Sequence, residues 1–161
     1  IMKKIVRIAL LMSMFLGGTI AAIAQNAKYK CNLQMTNYNG EGAYIVVSLI
    51  DAKGNYVKTL YMMGKDQKWY DTLKEWDKAQ KKKKDNISAI TGASVAGGNR
   101  ATTTFSFDES LMDKGYKIRF ESAVENQQYH QIDAEIPFTS AKIEEKVEGK
   151  GYVRFVKLTK L

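Results

Sequence analysis

From Lys28 to Met35 the chain alternates strictly. Tyr29, Cys31, Leu33 and Met35 fall on one face, and Lys28, Lys30, Asn32 and Gln34 on the other. Successive side chains point to opposite faces only in a strand, so a period of two defines a half-buried β-strand and excludes a helix there. The same signal recurs along the chain. Ala43–Ile50 is almost wholly apolar and β-branched, which suits a central strand covered on both faces. Asp51-Ala52-Lys53-Gly54-Asn55 reads as a turn, and Tyr56–Met63 returns as the second arm of a hairpin. Thr102–Phe107, Tyr116–Val124, Gln131–Phe138 and Tyr152–Leu158 complete about seven strands. Within Tyr116–Val124 the alternation predicts Tyr116, Ile118, Phe120 and Val124 inside, with Lys117, Arg119 and Glu121 in water. Pro137 lacks a backbone donor and is expected at a strand end or an edge. One helix interrupts the series: Trp69, Leu73 and Trp76 fall at i, i+4 and i+7, a stripe suited to packing on a sheet. The expected fold is all-β, an antiparallel immunoglobulin-like β-sandwich of about seven strands with one short crossover helix. A small barrel is the alternative.

The amino terminus has a different character. Lys3, Lys4 and Arg7 precede an apolar stretch from Ile8 to Leu16, and Ala22-Ile23-Ala24 supplies a small-residue cleavage site before Gln25. A membrane-spanning helix needs about 20 apolar residues, more than this stretch holds. Residues 1–24 therefore read as a signal peptide and residues 25–161 as one exported β-sandwich domain, periplasmic or secreted and not membrane-spanning after cleavage. Cys31 follows Lys28-Tyr29-Lys30 rather than a lipobox, so it reads as a small buried hydrophobe. Removal of the leader takes three positive charges from the formal +8 and leaves +5. Much of that excess is Lys81-Lys82-Lys83-Lys84, which without interleaved aromatics reads as a solvated loop and not as a nucleic-acid site.

Composition narrows the chemistry. A single Cys forms no internal disulfide and no Cys-rich metal cluster, and a single His cannot build a multi-His centre. Ser94 lies outside a G-x-S-x-G elbow, because Ala96 stands where the second Gly belongs. His130 lies in a polar stretch and reads as a surface residue. Glu144-Glu145 and Asp108-Glu109 read as solvated turn charges. No catalytic residues emerge, and the chain is expected not to be an enzyme. The segment Asn86–Asn99 stands apart, being rich in small and hydroxyl residues without a sustained period. Small side chains let another molecule approach the backbone closely. A plain connecting loop has the same composition.

Within that segment, Thr91-Gly92-Ala93-Ser94 resembles the flavin-attachment motif of bacterial exported flavoproteins, D-x-x-[ST]-G-A-[ST]. In those proteins an FAD:protein FMN transferase links FMN through its phosphate to the last hydroxyl. The resemblance implies Ser94 as acceptor, Thr91 as the first hydroxyl and Gly92-Ala93 as the small pair, with covalent FMN as cofactor. Ser88 stands where the motif has Asp. More widely, Met35–Leu49, Lys58–Tyr61, Trp69-Tyr70, Ala89–Ser94 and Gly115–Glu121 together resemble the predicted periplasmic family called domain of unknown function 2271. That resemblance implies association with flavin transferases and with a membrane redox partner of PepSY type. The hairpin Val47–Leu60 is also similar to the immunoglobulin-like domain of flagellar hook-capping proteins, a likeness of fold. Two functions follow: an exported carrier of covalent FMN in extracytosolic electron transfer, or an unmodified immunoglobulin-like binding or assembly module.

Overall fold

A computed structural model describes residues 25–161. The expected signal peptide, residues 1–24, lies outside the described residues. In chain order the elements are β1 (Asn26–Met35), β2 (Tyr44–Ile50), β3 (Tyr56–Met63), α1 (Lys74–Lys83), β4 (Thr91–Gly92), β5 (Arg100–Asp108), β6 (Lys117–Ala123), β7 (His130–Pro137), β8 (Val147–Glu148) and β9 (Val153–Lys160). Seven are full strands. The other two, β4 and β8, are two-residue pairings that extend the sheets.

Two sheets face each other, one ordered β5-β1-β9-β8 and the other β4-β3-β2-β6-β7. Every pairing is antiparallel except β3 with β4. The β1–β5 pair in one sheet and the β2–β6 pair in the other reproduce the B–E and C–F pairs of an immunoglobulin sandwich. The molecule is thus an all-β sandwich. Pro137 ends β7, an edge strand, where its missing N–H costs no ladder bond.

The alternating face of β1 enters the space between the sheets. Tyr29, Cys31, Leu33 and Met35 meet Ile45, Val47, Leu49 and Phe120 there, and the ring of Phe107 stacks on Tyr29 at 4.7 Å. Burial pushes the Cys31 thiol up to about 12, so the group behaves as a hydrophobe. A second, smaller core lies on the outer face of the five-stranded sheet. Val46 and Met62 there receive Leu73 and Trp76 of the helical segment, with Ile87 and Ala123 beside them. Strand β2 is therefore buried on both faces, as its almost wholly apolar run suits.

Three expectations change. The helical segment is two pieces, a 3-10 turn over Gln67–Thr72 and then α1, broken at Leu73 with φ −85° and ψ 68°. The three-residue period of a 3-10 turn rotates Trp69 off the face that Leu73 and Trp76 share, leaving it half-buried. The lysine run is not a loop: Lys81, Lys82 and Lys83 form the last turn of α1, and Lys84 follows in a left-handed cap at φ 55°. Lysine is a good helix former, and cations favour the negative end of the helix dipole. Finally, Glu121 does not face water. It is 4% exposed, because the outer face of β6 lies under the helical segment.

Candidate functional site

The loop that carries Ser94 is pinned on both sides. A 3-10 turn, Ser88–Ile90, precedes it, and Ser88 opens that turn with its N–H and hydroxyl both donated to Asn86 Oδ1, at 3.1 and 2.8 Å. Thr91 donates its hydroxyl to the Ile87 carbonyl at 2.7 Å. Thr91 and Gly92 then pair with Met62 and Met63, and the Gly64 N–H donates to the Gly92 carbonyl at 2.8 Å. Beyond Ser94, Val95 bridges Ala43 through two backbone bonds of 2.8 and 3.1 Å. The Tyr38 hydroxyl accepts from the Ala43 N–H at 2.8 Å and donates to the Val95 carbonyl at 2.8 Å, tying the bridge together. Ala93 and Ser94 project between these anchors and are exposed.

Close approach explains the small residues. A Cβ on Gly92 would collide with the Tyr61 hydroxyl. One on Gly42 would meet Ser94 Oγ at 2.6 Å. Neither position admits a side chain without moving its neighbour.

Two clefts open on Ser94. One, of about 170 Å³, is lined by Ser94 with Glu41, Gly42, Tyr44, Trp69, Thr72, Ala123 and Glu125. The other, of about 250 Å³, runs past Ala93 and Ser94 to Tyr61, Met63, Asn99 and Arg100. Ser88 and Thr91 line a third cleft, with Lys65, Gln67 and Tyr70. The structure therefore brings Gly92, Ala93 and Ser94 to one exposed corner, whereas Ser88 opens elsewhere. His130 begins β7 with its ring edge-on to Tyr152 at 5.1 Å, and it lines neither Ser94 cleft. Among the described residues no group of three or more His, Cys, Asp and Glu side chains is placed to hold a metal ion. No helix among them is long and apolar enough to cross a membrane.

The alternation misassigned one ionisable group. Glu121 accepts hydrogen bonds from the Tyr129 hydroxyl and, at 3.3 Å, from the Trp76 N–H. The Glu75 N–H donates to Tyr129 Oη at 3.1 Å. Two orphan donors in the first turn of α1 are thus satisfied from the strand side, where Leu73 supplies no side-chain cap. Burial pushes the Glu121 carboxyl up to about 7, against the lowering effect of those two hydrogen bonds and of Arg119. The signal was in the register: Glu121 pairs with Val46, and whatever covers the outer face of β2 covers Glu121 too.

Fold and loop together define a β-sandwich that presents a hydroxyl on a small-residue corner beside an aromatic cleft. The chain belongs to the family described as predicted periplasmic protein (DUF2271), whose model matches residues 26–155, from β1 into β9. No match emerges among curated proteins or among solved structures.

Proposed function

We propose that this protein carries FMN covalently on Ser94 and passes electrons within an extracytosolic redox system. The observation that carries the reading is the exposed Ser94 hydroxyl, held on a corner pinned at Thr91-Gly92 and at Val95. An acceptor serine must reach into another protein's active site, and only an exposed hydroxyl with small neighbours can do so. The residues present fit the group. Ala93 and Gly42 leave room around Oγ, Arg100 brings positive charge to one side, and Trp69 and Tyr44 bring aromatic surface to the other.

In the attachment step Ser94 Oγ attacks the FMN-side phosphorus of FAD within the transferase. The new O–P bond replaces the pyrophosphate bond, AMP leaves, and the serine proton passes to a base of the transferase. The flavin supplies reversible electron uptake. The chain's own residues hold the attachment point and set the local charge. A membrane redox partner of PepSY type would exchange those electrons.

Coexpression in the exported compartment with a flavin transferase, FAD and Mg²⁺ tests this. One FMN should be gained and retained through denaturation. Ser94→Ala should abolish the adduct. Thr91→Ala, which removes the bond to the Ile87 carbonyl and the hydroxyl beside Tyr70, should slow it. Ser88 lines neither Ser94 cleft, so any acceleration by Ser88→Asp would act through recognition by the transferase. Wild-type protein left unmodified beside a fully labelled control acceptor would instead leave the unmodified binding-module reading.

A further inference from the structure

We infer that Ser94 divides the cofactor between its two clefts, with the phosphate toward Arg100 and the flavin ring against Trp69 and Tyr44, where Glu41 and Glu125 hold its potential down. This rests on the covalent-FMN reading and adds where the ring goes and what tunes it.

Trp69 is the starting point. Its sequence spacing groups it with Leu73 and Trp76, which are buried completely, yet the 3-10 turn leaves it half-buried in the lining of the smaller cleft. The turn that carries it is fixed rather than loose. Thr72 donates its hydroxyl to the Trp69 carbonyl at 2.6 Å, and the Asp66 carboxylate caps the turn at the Lys68 N–H. Tyr44 is tied to the same turn, its hydroxyl accepting from the Asp66 N–H at 3.2 Å and its ring lying edge-on to Tyr70. Trp69 on a fixed turn and a tied Tyr44, in a cleft shared with the attachment serine, form a surface for a flat ring.

Charge decides which part of the cofactor goes where. Glu41 and Glu125 line the aromatic cleft, and an anionic phosphate beside two carboxylates is disfavoured. Lys68 lies 5.2 Å from the Trp69 ring, but its charge is engaged by Asp66 at 3.1 Å. On the other side, Arg100 donates Nε to Gln34 at 2.6 Å, and the outer N–H groups of its guanidinium remain for a phosphate. A neutral oxidised ring tolerates the carboxylates, whereas added electrons are repelled by them, so the same two residues lower the flavin potential.

The test uses the full chain, coexpressed with the transferase, as wild type and as three variants, with adduct formation checked by mass. The expected outcome is complete adduct in all four. Flavin emission is strongly quenched in wild type and rises several-fold in Trp69→Leu, but not in Tyr61→Leu, which alters the opposite cleft. Glu125→Gln, nearly isosteric, shifts the midpoint potential to more positive values. A complete adduct whose emission ignores Trp69, or responds to Tyr61 instead, overturns the ring placement while the covalent reading stands. An unchanged potential in Glu125→Gln overturns the tuning role. Absence of adduct in wild type, beside a labelled control acceptor, removes both readings together.

Discussion

Glu121 shows how a single side chain couples this fold to pH. Its carboxyl ordinarily titrates near 4.5, and burial raises it to about 7 in the folded chain. Between those values the folded protein keeps a proton that the unfolded chain releases. Stability therefore falls as pH rises through that window, the reverse of a salt-bridged carboxylate. The other charged groups nearby are Arg119 on the same strand and Glu75 at the start of α1, and neither pairs with it closely enough to cancel the burial cost. Glu121→Gln keeps an acceptor for the Trp76 N–H and the Tyr129 hydroxyl while removing the charge. It should match wild type near pH 4 and exceed it at pH 8 by roughly 3 kcal/mol, measured by urea unfolding at the two pH values. A wild-type stability that rises from pH 4 to 8 in step with the variant would place the carboxylate in water.

At the scale of elements, the strands were legible and the helical segment only partly so. Strict alternation in β1 has one physical solution, the almost wholly apolar, β-branched run of β2 suits a strand covered on both faces, and both strands formed as read. The Trp69–Leu73–Trp76 spacing located the segment but not its break, because side-chain spacing alone does not separate a 3-10 turn followed by a helix from one continuous helix. The lysine run misled for a related reason: a charged face without apolar partners looks like a loop, although Lys81–Asp77 and Lys78–Glu75 pairs dress it as an exposed helix face. What attaches α1 is Trp76, fully buried, with its indole N–H donated to Thr59 Oγ1 at 2.8 Å and its ring edge-on to Tyr70 at 5.3 Å. Trp76→Ala should cost roughly 3–5 kcal/mol and reduce the small helical part of the circular dichroism spectrum. A loss under about 1 kcal/mol would mean that the helix stays on the sheet without its anchor.

For the whole molecule, the question is what holds the two sheets in register at the open end of the sandwich. Apolar packing between the sheets is non-directional, so it compacts them without fixing their mutual position. Asp133 on β7 supplies direction. Fully buried, it accepts from the Lys150 and Gly151 N–H groups through Oδ1, at 3.0 and 2.8 Å, and from the Val153 N–H and the Ser122 hydroxyl through Oδ2. Those backbone donors belong to the β8–β9 connection of the opposite sheet, so one carboxylate joins the edge of one sheet to the other. Gly149 is part of the same fit, since a Cβ there would meet Asp133 Oδ1 at 2.7 Å. None of this was legible in sequence. Asp133 occupies a position of β7 where alternation offers no reason to bury a charge, and its backbone partners lie 17 to 20 residues away. Asp133→Ala should strand the buried Val153 N–H and Ser122 hydroxyl and the half-buried Gly151 N–H, while the Lys150 N–H keeps the Asp133 carbonyl, and destabilise by about 3 kcal/mol. Asp133→Asn keeps one acceptor oxygen but turns the other position into a donor facing N–H or O–H groups, so it should recover only part of that loss. Thermal unfolding of the three proteins, with hydrogen exchange at Lys150–Val153, checks both. Full stability in Asp133→Ala, with those amides still protected, would show that packing alone sets the register.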